Sequence, residues 1–197
     1  VGSEMCIRDS LWLTMVSRPD MAHAISILAR FNNCGGAAHM EHIFICIRYA
    51  YHTRHYQITY GLGRSKALFD NISEFSAIKQ DILEEGRMIV FTDSSHGGEK
   101  PMAGYVVMRA GGPISWSAYR LPVTPLSSCE GEYVAATKAT ANLKGLRGLG
   151  EFLGMNEEAA TIMFCDNSAA CMVSENNLSG KRLKHIATRI AYLQEAV

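Results

Sequence analysis

The sequence has no excess of either charge: Lys and Arg total 19, and Asp and Glu total 19. That balance argues against a protein that coats nucleic acid through bulk positive charge, but leaves room for a local basic face. It contains no Cys-x-x-Cys pair. Its six cysteines stand at 6, 34, 46, 129, 165 and 171, and no Cys/His spacing matches a zinc site. They read as reduced thiols, as expected of an intracellular protein. No apolar run approaches the roughly 20 residues that cross a bilayer, so no membrane partner is expected. Leu11–Val16 is too short for a signal-peptide core, and no small-residue cleavage pattern follows it.

What is present suits one domain, or one domain with a partial second: 197 residues, 48% of them hydrophobic. The opening VGSEMCIRDS lacks an initiating Met and apolar periodicity. It resembles a run that recurs at the ends of translated sequence assemblies. Residues 1–9 are therefore expected to be an adapter scar outside the fold. Ser17–Tyr60 is expected to be mostly helical. Arg18-Pro19-Asp20 opens one helix, a break follows at Asn32–Ala37, and a second helix runs from about His39 to Thr53. Gln57–Tyr60 is expected as a short strand. The stretch up to Gly86 (residues 63–86) carries mixed charge without a strand pattern and reads as a linker.

A second unit opens near Arg87. Its pattern gives strands at Met88–Thr92, Ala103–Arg109 and Pro113–Ser117, with Ala110-Gly111-Gly112 as a hairpin turn. A helix over about Ser128–Phe152 follows, then a strand at Thr161–Cys165. A short helix at about Ser168–Val173 and a last one over Lys181–Ala196 complete the pattern. Three antiparallel strands, a helix and a parallel strand make a mixed sheet with helices on its faces.

Two runs end alike. Met88–Asp93 reads MIVFTD and Thr161–Asp166 reads TIMFCD, each an apolar stretch closed by one Asp and followed by small polar residues. Each buried strand thus delivers a carboxylate to its carboxyl end, where open α/β sheets place their sites. Between them LSSCEGEY supplies further carboxylates at a helix start. Ser127-x-x-Glu130 fits a capping box, in which Glu130 serves its own helix terminus. Glu132 instead shares a stripe with Ala135, Ala136, Ala139, Leu143 and Leu146, which is small near the N-terminus and so lets the helix approach the sheet closely. Glu132 is therefore preferred over Glu130 as the site carboxylate. A single strand-end Asp is usually a turn or cap residue. Two of them with a helix Glu between describe a site for hard divalent cations, which take oxygen ligands. Two such ions can activate a water and stabilise the leaving oxygen of a phosphodiester.

Five segments carry a family resemblance: FTDSSHGG, AGYVVM, GGPISWSAYRLPVTPLSSCEGEYVAATKA, MFCDNSAA and RLKHIATRIAYLQE. Together they make Arg87–Val197 resemble the ribonuclease H domain of copia-type retrotransposon polyproteins. SRPDMAHAISILARF, HMEHIFICIRY and Y-x-ITY make Ser17–Tyr60 resemble the connection that precedes that domain and follows the polymerase. The resemblance implies an α/β fold: a ribonuclease H-like mixed sheet with flanking helices, C-terminally truncated and preceded by a small helical connection segment over residues 10–62. It implies hydrolysis of the RNA strand of an RNA–DNA hybrid, with Asp93, Glu132 and Asp166 sharing two Mg²⁺ (or Mn²⁺) ions. Products would be a 3′ hydroxyl and a 5′ phosphate. Selection of RNA would rest on 2′-hydroxyl contacts in the wide minor groove. The remainder of the polyprotein, polymerase and integrase, would be further partners, in a cytoplasmic particle or the nucleus.

Lys181, Arg182, Lys184 and Arg189 form a basic stretch on the last helix. Such a run is more often a solvated face, and its functional reading is phosphate contact along the hybrid. Trp116 and Tyr119 could stack on a sugar or base, although a strand Trp is more often core. His96 lies three residues past Asp93, where a loop His is more often simply exposed. The family's fourth carboxylate belongs to a later N-x-AD motif that residues 1–197 do not reach, and Ala187 stands where the family often has Asp. The loop Glu99–Ala103 is also shorter than is usual there. Little cleavage is therefore expected from residues 1–197 alone, and the alternative is an inactive remnant that at most binds nucleic acid or acts as a scaffold.

Overall fold

The computed structural model describes residues 2–61, 86–95, 101–122, 124–155, 157, 160–167 and 192–193. They fall into two compact units, one of residues 1–59 with 116–119, the other of residues 60–115 and 120–197.

In the first unit, α1 (Gly2–Val16) precedes a 3₁₀ turn at Pro19–Met21, α2 (Ala22–Leu28), a second 3₁₀ turn at Ala29–Phe31, and α3 (Ala37–His52). Pro19 suits a first helical turn because its fixed φ is already helical and its missing N–H would have no partner there. At α3 the His39 ring accepts the Gly36 N–H at 3.1 Å, satisfying a donor that the helix leaves open. The core joins Ile7, Met21, Ile25, Leu28 and Ile43. Ile7 lies within the stretch expected outside the fold, yet it is 3% exposed and its residues continue as α1. The reason is legible afterwards. The buried stripe of α1 is Ile7, Ser10 and Thr14, with Leu11 half-buried beside them. That is helical spacing, but two of its members are polar, so hydrophobicity alone does not reveal it.

Arg18 ties the Pro19 turn to the end of α3. Its guanidinium donates to both Asp20 carboxylate oxygens, at 3.0 and 2.8 Å, and to Thr53 Oγ1 at 2.6 Å. It also lies over the Tyr49 ring, 5.4 Å from the centroid. In the same unit the Trp116 indole N–H donates to the Thr14 carbonyl at 2.6 Å, so this Trp is engaged in packing. Gln57–Tyr60 belongs to no strand. The Tyr60 hydroxyl instead donates to the Pro113 carbonyl, and the Gly61 N–H to that of Ala110.

The second unit holds β1 (Ile89–Ser94), β2 (Met102–Arg109), α4 (Ser128–Phe152), β4 (Ile162–Cys165) and the two ends of β3 (Gly112–Arg120), whose Trp116–Tyr119 belong to the first unit. The strand order is β3-β2-β1-β4. β2 pairs antiparallel to β1, from Ile89↔Met108 to Ser94↔Ala103, and β4 pairs parallel to it, from Ile89↔Ile162 to Thr92↔Cys165. This is the expected mixed α/β sheet with a flanking helix. Val90 and Val107 face each other across β1 and β2 with no exposure, each burial being worth about 1.5–3 kcal/mol. Alternation sets them on the face that α4 covers, with Thr92, Ser94, Ala103 and Tyr105. Ile89, Phe91, Ile162 and Phe164 pack together on the opposite face, where the two Phe rings stack at 5.1 Å. Residues 62–85, the stretch 168–173 where a short helix is expected, and most of 181–196 lie outside the described residues. Tyr192 and Leu193 are helical, and Leu193 packs on Tyr133 of α4.

The β2–β3 hairpin closes through Ala110 (φ 50°) and Gly111 (φ 78°). Two successive positive φ values define a type I′ turn, which matches the twist of the strands and favours Asn-Gly. Ala pays a steric cost there. Ala110→Asn should therefore raise stability by about 0.5–1 kcal/mol, read as a higher urea midpoint. A lowered midpoint would contradict this account of the turn.

Candidate metal centre

The site is built where α4 begins. Ser127 is the N-cap, and its Oγ accepts the Glu130 N–H at 3.2 Å. Glu130 Oε2 in turn accepts the Leu126 N–H at 2.6 Å. The Ser127 cap satisfies one donor that a helix start leaves open, while the Glu130 side chain is taken up by the residue before the cap rather than by Ser127 itself. That second bond holds the Glu130 carboxylate against its own terminus. Glu132, two residues on, is turned about 200° around the helix and faces the end of β1.

There Glu132 Oε1 accepts the Ser94 N–H at 2.9 Å and the Ser94 hydroxyl at 2.6 Å. Its Oε2 accepts from the Cys165 thiol at 3.5 Å. Gly131 permits this approach. A Cβ at 131 would stand 2.6 Å from Ser94 Oγ and 3.4 Å from Ser94 Cβ. Glu132 is 3% exposed. Burial pushes its carboxyl pKa up; the bonds from Ser94 and Cys165 oppose that shift, and the negative charge of Asp166 adds to it.

Donor atoms of Glu132, Cys165 and Asp166 all lie within 4.8 Å of one another. β4 ends at Cys165, so the strand's alternation no longer governs Asp166, and its carboxylate meets the helix side. Asn167 Nδ2 donates to Ser128 Oγ at 3.2 Å, joining the segment after β4 to the start of α4. Asp93 is not a member of this group. It occupies the position next to Asp166, since both follow the last pair, Thr92↔Cys165. Its strand continues to Ser94, however, so alternation turns Asp93 away from α4, toward the Phe91 face, where it is exposed. The structure thus gathers Glu132 and Asp166 and leaves Asp93 beside them at the same sheet end. Lys181, Arg182, Lys184, Arg189 and His96 lie outside the described residues.

Sequence pattern did not single out Ser94, Gly131 or Cys165. Each is the immediate neighbour of a residue that it did single out. For Ser94 and Cys165 the signal is the period of two. The residue next to a strand-end Asp faces the covering helix when the Asp does not. The donor set fits a divalent cation, with carboxylate oxygens from two elements at one point. Among the described residues no ion pair neutralises Glu132 or Asp166, so a cation would relieve their mutual repulsion.

No family model matches the chain. It is 28% identical over 193 residues to the retrovirus-related Pol polyprotein from transposon TNT 1-94 of Nicotiana tabacum, a match that covers 95% of the chain and 13% of that protein. It is 30% identical over 138 residues to the putative transposon Ty5-1 protein of Saccharomyces cerevisiae, covering 68% of the chain and 38% of the relative. Over most of its length the chain is similar to retrovirus-related Pol polyproteins of transposons. It spans only a minor part of the length of these Pol relatives. A crystal structure of LC11-RNase H1 in complex with an RNA/DNA hybrid aligns at 18% identity and a TM-score of 0.39, covering 55% of the chain and 77% of that protein.

The geometry makes two measurable differences. Gly→Ala inside a helix ordinarily stabilises by up to about 1 kcal/mol. Gly131→Ala should instead destabilise by about 1–3 kcal/mol through overpacking against Ser94. Much of that cost should vanish when it is combined with Ser94→Ala, which a double-mutant cycle of urea midpoints reads; simple additivity would refute the close approach. Glu132 gives a pH signature. Its folded pKa is raised, so its contribution to stability is complete below the ordinary value of 4.5 and is lost as pH rises through the raised value. The stability of Glu132→Gln relative to the parent should therefore improve as pH rises from about 4 toward neutrality. A gap that stays constant across that range would show that the carboxylate carries no burial cost.

Proposed function

We propose that this chain is the connection and ribonuclease H portion of a retrotransposon Pol polyprotein. Residues 10–62 are the connection, 63–86 a linker and 87–197 the nuclease portion. The intact protein hydrolyses the RNA strand of an RNA–DNA hybrid in a divalent-metal-dependent reaction. The observation that carries this reading is the buried Glu132 carboxylate, held by Ser94 at the end of β1 with its other oxygen toward the Cys165–Asp166 segment.

Glu132 and Asp166 would hold the cations, Mg²⁺ or Mn²⁺, with Asp93 completing the set from the end of β1. Two ions there would supply activation of water and stabilisation of the leaving 3′ oxygen. Ser94 occupies Glu132 Oε1 with two hydrogen bonds and so fixes the direction of Oε2. Burial keeps the carboxylate short of water, which sharpens its gain from a cation. Lys181, Arg182, Lys184 and Arg189 would neutralise phosphates along the hybrid and make binding salt-dependent. Polymerase and integrase segments of the polyprotein are its other partners.

The test is cleavage of a labelled RNA–DNA hybrid with Mg²⁺ or Mn²⁺, using a longer frame that reaches the N-x-AD motif. Asp93→Asn, Glu132→Gln and Asp166→Asn should each lower the rate by about a hundredfold or more while the circular dichroism spectrum is unchanged. An Asp93→Asn variant that cuts as fast as the parent removes Asp93 from the site. The exposed position of Asp93, outside the Glu132–Asp166 group, favours a second reading: an inactive remnant that binds hybrid without cutting it. Hybrid retained but uncut under both cations, in the unsubstituted frame, would establish that reading.

A further inference from the structure

Cys165 brings a sulfur donor into a centre otherwise built of oxygens. Its thiol lies 3.5 Å from Glu132 Oε2, and its Sγ, a Glu132 oxygen and an Asp166 oxygen are mutually within 4.8 Å. The placement is fixed by the fold. Cys165 is the last residue of β4, paired in parallel register with Thr92 of β1, and it packs against Tyr133 of α4. A side chain on that face at that register points toward the start of α4. Mg²⁺ is a hard cation that takes oxygen and has little affinity for sulfur. Zn²⁺ and Cd²⁺ accept thiolate and carboxylate together, and thiolate selects them strongly.

We propose that Cys165, Glu132 and Asp166 form a mixed sulfur–oxygen site that takes a thiophilic divalent cation, Zn²⁺ or Cd²⁺, in preference to Mg²⁺. On binding, a metal–sulfur bond forms and the S–H bond breaks. The proton leaves to solvent, and no atom is oxidised or reduced. Thr, Ser or Ala at this position would leave an oxygen-only centre, so Cys165 sets which metal the centre prefers. The inference rests on the metal centre proposed above, and not on the hydrolytic reaction assigned to it.

The experiment is titration of the full chain, reduced and metal-free, with Cd²⁺ alone, following the sulfur-to-cadmium charge-transfer band in the ultraviolet and the heat of binding. The expected result is a tight equivalent of Cd²⁺ whose band is lost in Cys165→Ser. In Asp166→Asn and Glu132→Gln its affinity should fall at least about tenfold, the scale seen when a metal site loses a supporting group. Asp166 is exposed, so its variant keeps the test sound even if Cys165→Ser folds poorly. Zn²⁺ should displace the Cd²⁺, and Mg²⁺ in large excess should not. A band that survives in Cys165→Ser belongs to other thiols and overturns the proposal. So does a band whose affinity is indifferent to both Asp166→Asn and Glu132→Gln. Hybrid cleavage by the unsubstituted longer frame with Mg²⁺ is read separately. Its absence would sink the nuclease reading and leave the cadmium result standing.

Discussion

The hold of Ser94 on Glu132 is the contact on which the second unit's functional end depends. Two short hydrogen bonds, one from backbone and one from side chain, join the last residue of β1 to Glu132 at the start of the second turn of α4. They fix how closely the helix lies on the sheet, and Gly131 is the residue that makes that distance possible. From there the consequences run outward. α4 covers Val90 and Val107, Tyr133 becomes a fully buried packing partner of Cys165 and Leu193, and the segment after β4 is drawn to the helix start through Asn167 and Ser128. An interaction between a strand end and a helix end thus sets both packing and chemistry.

Much of the sheet was legible because its signals are local and repeated. Strands with apolar runs, a hairpin with Gly111 and a capped helix each obey one rule, and the rules agree with one another. α4 runs from Ser128 to Phe152, as its pattern suggests, because Ser127 and Glu130 mark its start with a cap that sequence displays. β3 extends to Arg120, beyond the apolar alternation that marks it, because ladder pairing continues where side-chain pattern stops. The helical unit was read less well at its edges. α1 hides its buried face behind Ser10 and Thr14, and Gln57–Tyr60 has strand-like composition but pairs with no strand among the described residues. Such features depend on tertiary partners, which local composition does not record.

The candidate site divides along the same line. Separation of Glu130 from Glu132 was accessible, since helical geometry sends residues two apart to different sides. The symmetry of the two strand-end Asp residues was misleading in one respect. Similar runs occupy neighbouring positions in register, yet β1 continues past its Asp and β4 stops before its own. One carboxylate therefore keeps the alternation of a strand and the other escapes it. Where a strand ends, to within a single residue, is among the least legible quantities in a sequence. Here it decides which side of the sheet a carboxylate meets.

Glu132 also explains why this end of the unit is costly as a piece of folded protein. A buried carboxyl with a second carboxylate nearby is penalised twice, by lost hydration and by like charge. Two hydrogen bonds from Ser94 offset part of that penalty. Nothing cationic among the described residues offsets the rest. A fold selected for stability alone would place Gln or an apolar residue here, since a purely structural contact to Ser94 needs only one acceptor oxygen. Retention of the charge, with one oxygen tied down and the other turned to Cys165 and Asp166, is intelligible if the remaining cost is relieved by a ligand of opposite charge. Binding and folding are then coupled through one carboxylate. The same burial that weakens the empty protein strengthens its hold on a cation, because both effects scale with how little water reaches Glu132.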